Sequence, residues 1–171
     1  MGGWKAGIAI SFSVFILLLP ASLFAFINEP DGFRGIKWGT NINDLPNMVL
    51  HSVDEDLNFY HRKNDKMNIG EADINSIGYV FYKGRFCSVF IKYNHWSNFD
   101  ILKETLWSIH GEAYRPNRFI DEYYWFWSDV SLGFDYSEIS KKGIIIYNYE
   151  PITHQFNKDK KEIAKKGAGD L

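Results

Sequence analysis

Three hydrophobic periodicities divide the chain. Residues 6–27 carry no charged side chain: an apolar block at 8–19 is followed by Pro20 and then by the small residues Ala21, Ser22 and Ala25. Over residues 97–111 the apolar side chains Phe99, Leu102, Leu106 and Ile109 recur at helical spacing, which predicts a helix with one buried face. Ser97 is its expected N-cap, Trp96 and Ile101 stand at staple positions around it, and Gly111 ends it. From residue 123 the period falls to two. The run Tyr-Tyr-Trp-Phe-Trp at 123–127 favours a strand, and Val130, Leu132, Phe134 and Tyr136 then alternate with Ser131, Gly133 and Asp135. A loop of Lys141, Lys142 and Gly143 leads into an apolar strand at 144–149.

The preceding half has the same order. Thr40 is expected to cap a short helical turn through Ile42 and Leu45, stopped by Pro46. Residues 57–63 read as a strand. Residues 77–82 and 86–93 read as a hairpin closed by Lys83-Gly84, where glycine accommodates a positive φ. Both halves, about 33–94 and 95–150, thus run helix, strand, strand, strand. The expectation is a single α+β domain over 26–152, two tandem α-β-β-β units forming a largely antiparallel sheet with helices on one face. Residues 153–171 are expected to form a charged helix or tail, rich in lysine, with Ile152, Phe156 and Ile163 as a thin apolar stripe.

In this order of elements the chain resembles small bacterial envelope proteins of the outer-membrane assembly lipoprotein (BamE/SmpA) type and the β-lactamase-inhibitor-protein type. The Gly39-Thr40 start of the first helix, the helix ending at Gly111 and the aromatic strand at 123–127 carry the resemblance, which covers most of residues 33–149. It implies the tandem fold and an envelope setting. The chain lacks the lipidated cysteine of the first type and the disulfides of the second, so no contact residue is carried over.

The charge-free leader changes the picture most. Lys5, a greasy block, a breaker and small residues are the layout of a secretory signal peptide, residues 1–25, with cleavage after Ala25 and a mature chain starting near Phe26. Leu23, three residues before that cut, is larger than usual there. The other reading keeps residues 6–27 as an anchor, since 22 residues in a helix span about 33 Å. Either way the domain lies outside the cytoplasm, periplasmic or secreted, with membrane contact only through an uncleaved leader. Losing Lys5 from the 19 basic residues leaves 18 against 21 acidic ones. That balance offers nucleic acid no basic footprint. Cys87 is the only cysteine, so no intrachain disulfide forms, and its apolar neighbours predict a buried, inert thiol.

Motifs for chemistry are sparse. The five histidines, at 51, 61, 95, 110 and 154, include no pair at zinc-ligand spacing. His61 and Asp65 make the nearest polar cluster, read as a strand end entering a turn. The acidic run Asp54, Glu55 and Asp56 lacks the spaced ligands of a calcium loop. No nucleophile elbow, phosphate loop or dinucleotide fingerprint occurs, and no metal or cofactor is expected. The aromatic strand is the candidate binding element: Tyr123, Trp125 and Trp127 share one face of it, Tyr124 and Phe126 the other. A row of exposed Tyr and Trp suits protein recognition or stacking on a sugar. The expected function is therefore a non-enzymatic envelope accessory protein holding a protein partner on its sheet. The alternative is a binder of a glycan or apolar small molecule in a concave aromatic pocket, and a hydrolase comes third. A partner surface predicts a broad apolar patch, a ligand binder a cleft, and an enzyme a cleft where His and carboxylates converge.

Overall fold

Alternation and turn chemistry build most of the structure. The computed structural model describes residues 27–168; the leader and its cleavage site lie outside them. The short hairpin β1 (Gly32–Phe33) and β2 (Ile36–Lys37) is followed by a 3-10 turn (Ile42–Asp44), then by β3 (Met48–Asp54) and β4 (Leu57–Arg62). A second short hairpin, β5 (Asn68–Ile69) and β6 (Ala72–Asp73), precedes the long pair β7 (Ser76–Tyr82) and β8 (Arg85–Asn94). Helix α1 (Trp96–His110), strands β9 (Asp121–Phe126), β10 (Val130–Ser137) and β11 (Lys142–Tyr149), and helix α2 (Glu150–Ala168) complete the order.

The main sheet has seven strands in the order β3-β4-β7-β8-β11-β10-β9, all neighbours antiparallel. Two meanders, β3-β4-β7-β8 and β9-β10-β11, therefore meet through their last strands, with Ile91 opposite Ile145. The chain is α+β, and mostly β. Lys83 (φ 48) and Gly84 (φ 76) close the β7–β8 hairpin, both left-handed as a tight two-residue turn requires.

The two helices lie on opposite faces of the sheet, not on one. Helix α1 sets Phe99, Leu102 and Leu106 into the cluster that holds Tyr79, Phe81, Ile91, Trp125 and Phe134. Helix α2 sets Ile152 and Phe156 on Val80, Tyr82 and Cys87. Tyr79 and Phe81 alternate with Val80 and Tyr82 along β7, so these clusters are its two faces. The contiguous apolar run of β7 is buried on both sides for this reason. We call the α1 side inner and the α2 side outer.

Local ends differ from the sequence expectations. Asn41, not Thr40, caps the first turn, its side chain accepting from the Asn43 N–H at 3.0 Å, while the Thr40 hydroxyl donates to the Lys37 carbonyl. His95 (φ 68), not Ser97, precedes α1, and Gly111 (φ 79) ends it as expected. The inward position of its last turn belongs to His110, leaving Ile109 exposed. Gly143 lies within β11 instead of its loop: a Cβ there would sit 2.2 Å from the Tyr93 ring.

Helix α2 is fastened to the β7–β8 hairpin by one carboxylate. Lys83 Nζ and the Tyr82 hydroxyl both donate to Asp159 Oδ2 at 2.5 Å, and Phe156 stands edge-on to the Tyr82 ring, centroids 5.3 Å apart. These donors, Lys83 first, pull the Asp159 carboxyl down to about 2. A depressed carboxyl stabilises the folded state above its unfolded value near 4 and loses that contribution as pH falls toward 2. Hydrogen-exchange protection of the α2 amides should therefore drop between pH 4 and pH 2 before that of β7 and β8. Asp159→Asn should remove that early step; an unchanged profile would show that the carboxylate does not hold the helix.

Candidate functional site

The sequence places its candidate residues on β9, and the register settles which way they point. Tyr123 pairs with Phe134 and Trp125 with Leu132, all inward. Trp125 is fully buried, edge-on to Trp107 at 5.1 Å, and its indole N–H donates to the Gly111 carbonyl at 3.0 Å. Tyr123 is 4 % exposed and packs on the same Trp107; burial, then its hydrogen bond to Asp121, pushes its hydroxyl up to about 12. Trp127 is half-buried beside His110, at 4.9 Å between ring centroids. These three side chains are the seat of α1. Since α1 needs an apolar bed and this strand supplies it, Tyr123 and Trp125 are core and offer a partner no surface.

The outward set of β9 belongs instead to a row that crosses five strands. Gly78 (β7), Phe90 (β8), Ile146 (β11), Gly133 (β10) and Tyr124 (β9) stand side by side in register. Phe90, Ile146 and Tyr124 are half-exposed, and Phe126 next to Tyr124 is 54 % exposed. Phe59 from β4 stacks on Phe90 with centroids 6.3 Å apart. The two glycines keep the row flat, and the Tyr124 ring lies over Gly133, 3.6 Å from where a Cβ would be. Helix α2 covers only the end of this face near Tyr82 and Cys87. A groove of about 640 Å³ lies at one end of the row, with Phe59, Gly78, Phe90 and Ile144 at its base and His51, His61 and Lys92 at its margin.

The inner face holds a second concavity. Over β8, β10 and β9 it is roofed by α1. Over the other meander the roof is made of short pieces: the β1–β2 hairpin, the three-residue 3-10 turn, Trp38, stacked on Phe86 at 4.8 Å, and the β5–β6 hairpin, which brings Ile69, Ala72 and Ile74 to the core. Between the two roofs lies a cleft of about 730 Å³. Leu102 and Leu106 of α1 form one wall, Ile145 and Tyr147 the floor, and Phe33 and Ile69 the other wall.

Its rim is built around Asp65. Arg34 sits at φ 48 and Gly35 at φ 78 in the tight β1–β2 turn, which swings the guanidinium toward the β4–β5 loop. There it pairs with Asp65 Oδ1 and donates to the carbonyls of Lys66 and Asn68. The Tyr79 hydroxyl, rising from the sheet, donates to Asp65 Oδ2 at 2.6 Å, and the Lys66 N–H donates to Oδ1. Burial and this carboxylate push the Tyr79 hydroxyl well above the ordinary phenol value. The Asp65 side chain is 5 % exposed and that of Arg34 19 %. Arg62, Lys63 and Lys66 complete the rim; among the described residues none of the three has a carboxylate partner.

No protein-family model, no curated protein and no solved structure matches the chain.

The remaining sequence candidates separate. His61 and Asp65 do not meet: His61 borders the outer groove, near His51 with ring centroids 6.3 Å apart, and Asp65 faces the inner cleft. Asp54 ends β3, and Glu55 and Asp56 form the exposed turn after it, where Glu55 pairs with Lys160 of α2 at 2.8 Å. Cys87 is 3 % exposed, its thiol 3.4 Å from the Val80 carbonyl, and burial pushes it up to about 12. Among the described residues no group of three or more His, Cys, Asp and Glu is placed to hold a metal ion. Sequence reasoning missed the Arg34–Asp65–Tyr79 network, whose members are separated by 31 and 14 residues. The Arg34-Gly35 pair between apolar residues was the available signal for the turn, though not for the partner across it.

Proposed function

We propose that the chain is an exported, non-enzymatic accessory protein of the cell envelope that holds a protein partner on the outer face of its sheet. The observation that carries this reading is the row from Phe90 through Ile146 to Tyr124. An antiparallel face left to water ordinarily reads polar. This one keeps polar rows, with Lys92, Asp135 and Glu122 on one side and Ser88, Asn148 and Ser131 on the other, but sets an aromatic and aliphatic row between them. Five strands at roughly 4.8 Å spacing make it about 19 Å across, with the groove beside Phe90 and Gly78 at one end of the row and not along it. Breadth and aromatic content suit a protein surface. The second half runs helix, strand, strand, strand, as in the BamE/SmpA and β-lactamase-inhibitor types. The first departs from that order, with the 3-10 turn in place of a helix and four strands in the main sheet instead of three, and the last strands of the two halves meet at β8 and β11. The charge-free leader supports export, and the intact mass of the protein from fractionated cells tests it: a soluble species should begin near Phe26.

A photo-crosslinking side chain placed at Phe90 in cells should yield one discrete adduct in the extracytoplasmic fraction. The same group at Lys161, on the exposed side of α2, should not. Adding Ile146→Asp, which puts a charge in the middle of the row, should abolish the adduct and shift the melting temperature by only a few degrees. Adducts of equal yield from both positions, or none from Phe90, would overturn the reading.

A further inference from the structure

The inner cleft carries its own chemistry, independent of the outer row. We propose that it binds a single small anionic amphiphile, a molecule with an apolar body and one carboxylate or phosphate monoester group. Its volume of about 730 Å³ falls in the range of small-molecule sites. Phe33, Ile69 and Ile109 present accessible apolar surface to the ligand's apolar body, over a bed of Leu102, Leu106 and Ile145 that is itself closed to water. The rim sets the sign of the ligand. Arg34 and Asp65 neutralise each other, and Arg62, Lys63 and Lys66 remain as three positive charges with no carboxylate partner among the described residues. The whole chain carries a formal charge of −2, so this local excess opposes the overall balance.

Two further features fit an anion. Tyr147 lies in the floor, its phenol held protonated by burial, and among the described residues no hydrogen bond engages its hydroxyl. A neutral phenol is a donor an anionic head can use. The loop that presents Lys63 and Lys66 is already fixed by the Arg34–Asp65–Tyr79 network, so binding need not order it, which favours affinity. A cationic ligand would meet repulsion at the rim, and a glycan would leave the apolar floor unfilled.

The test uses the protein as recovered from cells and three probes with one tail: dodecanoate, dodecyl phosphate and dodecyltrimethylammonium, each below its micellar concentration. Methyl resonances of Leu102, Leu106 and Ile145 report the cleft. At least one anionic probe should shift them saturably, and the cationic probe should bind at least tenfold more weakly. Preference between the two anions then tells a carboxylate from a phosphate ligand. Lys63→Glu with Lys66→Glu, both exposed and outside the core, should weaken the anion about tenfold while the fold is kept. Equal affinity for the cationic probe, no saturable shift with either anion, or shifts centred on Phe59 and Phe90 would each overturn the assignment.

Discussion

Trp125→Ala is expected to destabilise the protein by about 3–5 kcal/mol, a fall in melting temperature on the order of 10 °C or more for a domain of this size. The indole is fully buried between β9 and α1, edge-on to Trp107 at 5.1 Å. Its removal leaves a cavity that the helix cannot fill without losing its own seat, and it deprives the Gly111 carbonyl of the indole donor at the end of α1. Phe126→Ala, one residue on and 54 % exposed, should cost less than about 1 kcal/mol, because an outward ring gives up little contact. Thermal melts of the two variants decide the orientation of the strand. A slip of one residue would exchange the faces and reverse the order of the two losses.

That comparison also marks how far the sequence could be read. Period alone located α1, β10 and the Lys83-Gly84 hairpin, because each is a local pattern that one packed face imposes. It could divide Tyr123, Trp125 and Trp127 from Tyr124 and Phe126 but not say which set faces inward. Both sets are aromatic, and the choice belongs to the residues opposite, Phe134 and Leu132 in the neighbouring strand. Strand β3 escaped notice for a different reason. A register shift between Leu50 and Ser52 interrupts its alternation, as a bulge does, and its residues after Val49 are exposed. The placement of α2 on the outer face was signalled weakly by the unbroken apolar run Val80-Phe81-Tyr82, which one-sided burial does not need. The cleft was the least legible part. It exists because the first meander has a three-residue turn where the second has a fifteen-residue helix, and its rim joins residues from three separate segments.

The strongest single dependence of that rim is on Asp65. Asp65→Ala is expected to cost about 2–4 kcal/mol, toward the lower part of the range for breaking a buried ion pair because Arg34 retains some access to water. The loss has two sources. The Arg34 guanidinium keeps its bonds to the Lys66 and Asn68 carbonyls but loses its counter-charge, and the Tyr79 hydroxyl, on a ring with no exposure, loses its acceptor. Replacing the set together, as Arg34→Met with Asp65→Leu and Tyr79→Phe, should recover much of the stability, since an apolar exchange strands no charge or donor. Binding at the cleft gives the sharper reading. Charge alone says that deleting Asp65 raises the local positive excess and tightens an anion. Order says the reverse, because the carboxylate, together with the Arg34 bonds to the Lys66 and Asn68 carbonyls, fixes the loop carrying Lys63 and Lys66 relative to Arg34. Order is expected to win: Asp65→Ala should weaken the preferred anionic probe severalfold in the same titration, although it removes a negative charge. Tighter binding by the folded variant would show that Asp65 acts on the ligand through its charge and that the loop is held by other contacts.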